Sequence, residues 1–418
     1  MVHIIAGIDI HKRMLMVAAG VMDMHTENGE ITEQVAFENR RFGTTDTELR
    51  RLAAWLSRFG VQEVVMESTA QYWKPVWLAL EGSFRLQLAQ AWSNRAPRGK
   101  KTDYRDAQRL VRRHFAGGLT LSFVPDAEQR QMRTITRRRT QLTRERVRLR
   151  NQLEALLEEG RIKLSSVISD LLGASGRRIL EALADGVDNP ESLAALGDER
   201  LKCTREQLVD ALSGNLTAIH RKLVRQYLDQ LSLLDQQREE LSQMSADSLR
   251  DYSEAVRRLA QIPGIRALAA QQIVAEAGPR AEAFPSPAQF SSWIGACPGR
   301  EESAGENHSS RCPKGNKYLR RVLCQAAQAA VRTRNTRFQQ KFRRLVPRLG
   351  YSKAIWAIVR HLAVVIWKIL HQGATYEERG LPTSPQAAKR RAQRLAKELR
   401  ALGYSVEIKP MTTELAGV

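Results

Sequence analysis

The segment His3–Ile10 is a short apolar run with β-branched residues, and Met14–Val21 is a second. Ile31–Phe37 alternates polar and apolar positions with a period of two. Polar or Gly-containing segments separate the three, as they do consecutive antiparallel strands. From Thr45 to Phe59 the residues Leu49, Leu52, Ala53 and Leu56 recur at i, i+3, i+4 and i+7, predicting a helix that Gly60 ends. Val61–Met66 predicts a fourth strand, Ala70–Leu80 a short helix, Phe84–Ala89 a fifth strand and Asp103–Phe115 another helix. This order, β-β-β-α-β-α-β-α, excludes a simple Rossmann half, which alternates from its start. It fits the mixed sheet of the ribonuclease-H type.

Beyond Pro125 the pattern becomes helical. Residues 128–150 hold nine Arg and two Glu with no Gly or Pro, and Leu142, Leu149, Leu153 and Leu156 continue them with heptad-like spacing. A second such run carries Leu223, Tyr227, Leu234, Leu241 and Met244. Together they predict an antiparallel coiled-coil hairpin with a smaller helical insert. In Leu259–Ala277, Ile262-Pro263-Gly264-Ile265 sits between two helical patterns. That is the form of a helix-hairpin-helix, in which the turn at Gly264 presents backbone N–H groups to a phosphate. A polar, Gly-containing loop follows Phe290–Gly295, then helices from about Lys317 and Tyr351, and a basic tail helix at 389–400. The fold class is therefore α/β plus α. Its parts are a ribonuclease-H-type domain at 1–125, a basic coiled-coil hairpin at 126–250, a mostly helical C-terminal domain at 251–378 and a basic tail at 379–418.

Composition narrows the partners. The 418 residues contain 66 Lys+Arg and 45 Asp+Glu, a formal charge of +21. Arginine supplies 51 of the cations and lysine 15. A GC-rich genome explains the ratio but not the excess over acids, and guanidinium forks match phosphate bidentately, so the expected partner is nucleic acid. The Arg-rich face of the first long helix (Arg137, Arg138, Arg139, Arg144, Arg146) is either solvated or tracks a phosphate backbone. Nine Arg to two Glu favours the backbone. Cys203, Cys297, Cys312 and Cys324 form no C-x-x-C pair, which argues against a disulfide scaffold or structural zinc. No leader pattern opens the chain, and the apolar stretch Ala354–Leu370 is interrupted by Arg360, His361 and Lys368. It reads as a buried helix, and the expectation is a cytoplasmic protein with no membrane partner.

Four acids stand out. Asp9 lies near the end of the first predicted strand and Glu67 closes the fourth; Asp103 and Asp106 share one face at a helix start. In a ribonuclease-H arrangement the first and fourth strands are neighbours and the late helix crosses their edge, so the four can meet. An oxygen-only set suits Mg²⁺ or Mn²⁺, and two such ions about 3.5–4 Å apart can polarise a phosphodiester. Taken singly, Asp103 also reads as a helix N-cap and Glu67 as a strand-end acid facing water. Further on, Ser303 has small neighbours, Ala304 and Gly305, and is ringed in sequence by Arg300, Arg311, Lys314, Lys317 and Arg320. Such a hydroxyl can attack phosphorus, though loop serines more commonly cap helices or bond their own backbone.

These residues resemble a family. Gly7-Ile8-Asp9-Ile10-His11-Lys12, Met66-Glu67-Ser68-Thr69 and Lys101-Thr102-Asp103-Tyr104-Arg105-Asp106-Ala107 resemble the DEDD transposases of insertion sequences, relatives of the pilin-gene invertase (insertion-sequence family 110). Pro298 to Gly305, Lys314 to Arg321 and Arg360-His361-Leu362-Ala363 resemble that family's C-terminal domain in the family's order. The resemblance implies a RuvC-like nuclease domain binding Mg²⁺ through Asp9, Glu67, Asp103 and Asp106. It also implies a nucleophilic serine in the 303 segment, with Ser309 and Ser310 as neighbours, and a phosphoserine–DNA intermediate. Implied partners are donor and target DNA, a structured noncoding bridge RNA, and further copies of the chain as a dimer or a synaptic tetramer. In that assembly the acids of one subunit and the serine of another form a composite site. Two other readings stand beside this one: a metal-dependent junction nuclease in which Ser303 is structural, and a nonenzymatic nucleic-acid scaffold.

Overall fold

The computed structural model describes residues 3–27, 30–67, 70–94, 103–299, 301–303, 306–309, 312–378 and 385–408. The chain divides into two compact units, Met1–Pro125 and Asp126–Val418.

The first unit is built on five strands: β1 (Ile4–Ile10), β2 (Met14–Glu27), β3 (Glu30–Gly43), β4 (Glu63–Glu67) and β5 (Arg85–Ala89), arranged β3-β2-β1-β4-β5. The first three pair antiparallel, while β1–β4 and β4–β5 are parallel. Strands β2 and β3 extend further than their apolar runs predict: they continue through polar residues as a long hairpin, whose facing backbone groups bond each other whatever the side chains. Both faces of the sheet are covered. On one, α1 (Asp46–Phe59) and α2 (Trp73–Leu80) bury Leu52, Leu56 and Leu80 against Ala6, Ile8, Ile10, Val64 and Met66. On the other, α3 (Asp103–Phe115) buries Leu110 and Val111 against Ile5 and Val65.

In the second unit, α4 (Ala127–Glu159) is followed by four short helices, α5 (Leu164–Val167), α6 (Ala174–Ala184), α7 (Pro190–Ala194) and α8 (Arg205–Ala211), before α9 (Ala218–Ser248) returns. Asp126 caps α4 by accepting from the Gln129 N–H. The two long helices run antiparallel, as the bonds Arg139 to Ser242 (2.9 Å) and Arg146 to Asp235 (2.6 Å) show. The short helices bury their leucines with Leu153, Leu157, Leu228 and Leu231 at the far end of this pair. The rest comprises α10 (Ser253–Ala260), α11 (Ala267–Ala277), α12 (Pro287–Ile294), the hairpin β6 (Glu301–Ser303) and β7 (Glu306–Ser309), α13 (Lys317–Arg332), α14 (Arg337–His371) and α15 (Pro385–Ala401). The predicted loop around residue 303 is therefore a short antiparallel hairpin. Among the described residues α14 is the one helix long and apolar enough to cross a membrane, and its Ile355, Ile358, Leu362 and Ile366 are buried in the core of this unit.

One buried polar cluster joins three of these helices. Glu276 of α11 is fully buried. It accepts two bonds of 2.7 Å from Arg137 of α4 and one of 2.8 Å from Asn316, the N-cap of α13. Arg133, one turn earlier on α4, donates to the backbone carbonyls of Ala275 and Glu276. Burial lowers the Arg133 pKa to about 10. For Arg137 burial also opposes the charge, but its pairing with Glu276 more than offsets it and the pKa is raised. Glu276→Gln leaves these guanidiniums buried without their counter-charge and is expected to cost about 3–5 kcal/mol. Urea unfolding monitored in the second unit checks this; a loss under about 1 kcal/mol contradicts it.

His361 of α14 gives a pH signature. Its Nδ1 lies 3.2 Å from Lys341 Nζ and its ring meets Phe338 edge-on. Burial, then Lys341, Arg337 and Lys368, push its pKa down to about 4. The folded state therefore excludes a proton that the unfolded chain takes up near pH 6.5, so stability falls as pH drops from about 6.5 towards 4. After allowance for solvent screening the expected loss is roughly 1–2 kcal/mol. His361→Phe should flatten that limb of the pH–stability curve, measured by denaturant midpoints between pH 4 and 7.

Candidate active site

Strand alternation and one helix contact bring the acids of the first unit to a common end. Along β1, Ala6, Ile8 and Ile10 face α1 and α2, so Ile5, Gly7 and Asp9 face α3. Along β4, Met66 faces α1 and Val65 faces α3, which puts Glu67 on the α3 side as well. Ile8 is in register with Met66 on the parallel neighbour, so Asp9 and Glu67 are each one residue further on at the same level. The direction of α3 follows from its contacts. His114, near its C-terminus, lies 3.1 Å from Glu63 at the start of β4; Val111 packs against Gly20, the register partner of Ile5. Ala107 then lies over Gly7, where an added Cβ would stand 2.2 Å from its carbonyl oxygen. Asp106, one residue before Ala107, therefore lies towards the level of Asp9 and Glu67, and Asp103 opens the same helix. The side chain of Asp103 lies outside the described residues.

The described carboxylates each have a neighbour. His11 Nε2 is 3.2 Å from Asp9 Oδ2, an electrostatic contact without hydrogen-bond alignment. Asn94, buried in the short 3-10 turn after β5, donates to Glu67 Oε2 at 2.9 Å. Arg109 donates from Nε to the Asn94 carbonyl and side-chain oxygens at 3.0 and 3.3 Å, and from Nη2 to the buried Asp106. Asp106, Arg109, Asn94 and Glu67 thus form one chain of bonds. Sequence reading missed both intermediaries. The i, i+3 spacing of Asp106 and Arg109 was a signal for one; Asn94 carried none, since only tertiary contact brings it to Glu67. The donors are all oxygen, a set that fits a hard divalent cation in kind. Among the described residues, no group of three His, Cys, Asp or Glu side chains is yet gathered tightly enough to hold a metal.

In the second unit, Ser303 ends β6 and is paired in register with Glu306 of β7, while Ala304, Gly305, Arg300 and Arg311 lie outside the described residues, as does the side chain of Ser303. The segment after this hairpin packs closely on α12 and α13. Gly315 has φ +53° and lies against the end of α12, where a Cβ would stand 2.2 Å from the Ile294 carbonyl oxygen. Asn316 beside it accepts from the N–H groups of Tyr318 and Leu319 at 3.0 and 3.1 Å. Arg320 donates to the Gly295 and Pro313 carbonyls and stacks over Trp356 at 4.1 Å. The Lys314-Gly315-Asn316 segment is thus closely packed where it follows the hairpin.

The predicted nucleic-acid residues separate into two groups. Arg138, Arg144, Lys314 and Lys317 are exposed. Arg137, Arg139 and Arg146 spend their guanidiniums on Glu276, Ser242 and Asp235, and Arg320 on backbone carbonyls. Gly264 has φ +86°, and a Cβ there would stand 2.2 Å from the Ala326 carbonyl oxygen of α13. The close approach that requires glycine at this turn is to the protein's own backbone.

A mixed sheet with acids at the ends of two adjacent parallel strands, followed in the chain by a largely helical unit, is consistent with a ribonuclease-H-like or transposase fold. A DEDD-type transposase family model matches residues 6–161, and one described as "Transposase IS116/IS110/IS902 family" matches residues 256–343. The chain is 25% identical over 321 residues to a "Probable family 20 transposase" of Pseudomonas aeruginosa, covering 75% of this chain and 85% of that protein. The Thermus thermophilus RuvC structure aligns with 28% of this chain and 99% of its own, at 14% identity and a TM-score of 0.22. The chain belongs to the IS110/IS116-type transposase family, and its function at family level is that of a transposase or recombinase acting on DNA. Arg109→Ala removes the bond from this side chain to Asp106 and uncouples Asp106 from Asn94. DNA strand cleavage is expected to fall about 10–100-fold with an unchanged circular-dichroism spectrum, and Arg109→Lys to recover only part. Full cleavage by Arg109→Ala contradicts the positioning role.

Proposed function

We propose that the protein cuts and rejoins DNA as the transposase of an insertion sequence, with Asp9, Glu67, Asp103 and Asp106 as its carboxylate site and Ser303 as its nucleophile. The observation that supports this reading is the close contact of α3 with Gly7, which sets the helix that carries Asp106 against β1, whose neighbour in register is β4. Bound Mg²⁺ or Mn²⁺ would supply positive charge to a phosphodiester and to the oxygen that leaves it. The chain's own residues do the rest. Asn94 and Arg109 hold Glu67 and Asp106 in place, and the close-packed Gly315–Asn316 segment follows the hairpin whose first strand ends at Ser303.

In the serine step, Oγ of Ser303 bonds to phosphorus and the P–O3′ bond breaks. The 3′ oxygen leaves as a hydroxyl after taking up a proton, and the DNA stays joined to the protein as a phosphoserine. Attack by a 3′ hydroxyl of another strand on that phosphoserine reverses the step and completes strand exchange, with no external energy source. Cations near the hairpin, Lys314 and Lys317 among them, offset the charge that develops on the phosphate oxygens. The exposed Arg138 and Arg144 on α4 belong to the surface that follows donor or target DNA and a structured bridge RNA. Assembly of two or four copies for synapsis is part of the same proposal.

Incubating the protein with end-labelled DNA from an element junction and quenching in denaturant should trap a protein–DNA adduct. Ser303→Ala should abolish it, while Ser309→Ala and Ser310→Ala should retain it. An adduct that persists in Ser303→Ala sinks the assignment, and metal-dependent cleavage with no adduct in any form favours a junction nuclease using the acids alone.

A further inference from the structure

Between the start and the end of α14 lies a cavity of about 420 Å³ that the acids, the serine hairpin and the exposed arginines of α4 do not use. One side is apolar, formed by the half-buried Val364 and Val365 over the buried Phe338 and Ile369; the other carries Arg337, Lys368 and the ring of Tyr376. Phe338 and Tyr376 are nearly parallel, 10° apart with centroids 6.2 Å apart. The size is that of a small-molecule site, and the lining pairs flat apolar walls with cations.

The charges around it are crowded and of one sign on one side. Lys341 sits against His361 at 3.2 Å, and neither Lys341 nor Lys368 has a carboxylate partner among the described residues. Burial and the nearby Arg337 and Arg360 lower the Lys341 pKa, and His361 is held neutral at ordinary pH. Of the two acids nearby, Glu377 lines the cavity, while Glu378 accepts from the Tyr376 hydroxyl at 2.6 Å and from the Arg337 N–H at 2.9 Å. An entering anion would lower the mutual repulsion of Arg337, Lys341 and Lys368, whereas a metal cation would raise it. A bare inorganic anion would leave the apolar wall unused.

We propose that this cavity binds a nucleotide unit, with the phosphate on Arg337 and Lys368 and the flat base against Val364, Val365 and the ring of Tyr376. Charge-assisted hydrogen bonds hold the phosphate, and stacking and apolar contact hold the base without strong sequence preference. The unit is either a free mononucleotide or an unpaired nucleotide of a DNA or RNA strand. The inference goes beyond the cutting and rejoining reaction and is measured without it.

The test uses the full-length protein with three probes: deoxyadenosine monophosphate, inorganic phosphate, and an oligonucleotide duplex carrying one unpaired 2-aminopurine. Calorimetry reads the first two and 2-aminopurine fluorescence the third. Lys368 is exposed, so Lys368→Glu should fold, and it should weaken binding at least ten-fold; Val365→Trp, which fills the cavity from its apolar side, should do the same. Binding of the mononucleotide identifies a free nucleotide as ligand. A fluorescence change with the duplex alone identifies a nucleotide within a strand. Phosphate binding as tightly as the mononucleotide overturns the base-binding half. Binding unaffected by both cavity variants, or no binding of any probe, overturns the proposal as a whole.

Discussion

The absence of a side chain at Gly7 governs the first unit. Because nothing projects from β1 at that position, the backbone of α3 settles onto the sheet at Ala107, closer than any Cβ permits. Helix packing at ordinary side-chain distance holds backbones roughly 8–10 Å apart. Here the approach is tighter, and its consequence is positional: Asp106 is drawn to the end of β1 and β4 rather than held above it. Buried acids at such a point require partners. Arg109 and Asn94 supply them, so the packing that brings the acids in also demands the polar chain that orients them.

The second unit depends on a different device. Glu276 takes a carboxylate into a fully buried place where three helices meet, which is tolerable only because Arg137 and Asn316 satisfy it. Asn316 is simultaneously the cap of α13 and the neighbour of Gly315, whose backbone lies against α12. The segment that follows the serine-bearing hairpin is thus tied to the same cluster that clamps α4. Arginines that look in sequence like a nucleic-acid face are partly consumed in this internal work. The cationic excess of the chain consequently has three destinations: buried clamps such as Arg137, exposed positions such as Arg144, and the crowded lining of the α14 cavity.

Much of this organisation was legible in the residues. The apolar runs of β1 and β2, the period-two alternation of β3 and the apolar stripe of α1 identify a mixed sheet, and the heptad-like leucines identify α4 and α9. The hairpin of β6 and β7 was illegible, because its strands are short, polar and without alternation; they pair through the backbone. The extensions of β2 and β3 were hidden for the same reason. Asn94 showed nothing in sequence, since its role is defined by a contact across 27 positions to Glu67.

By itself, then, the sequence determined which segments become strands and helices, and it placed acids at strand ends and a helix start. Local periodicity and turn chemistry act over a few residues, so they can be read from neighbours along the chain. Tertiary structure alone decided which arginines are spent internally, which small residues are required by close approach, and where a cavity forms. Those outcomes depend on which surfaces meet. A guanidinium is a clamp when a carboxylate such as Glu276 is buried within its reach, and a free cation when none is.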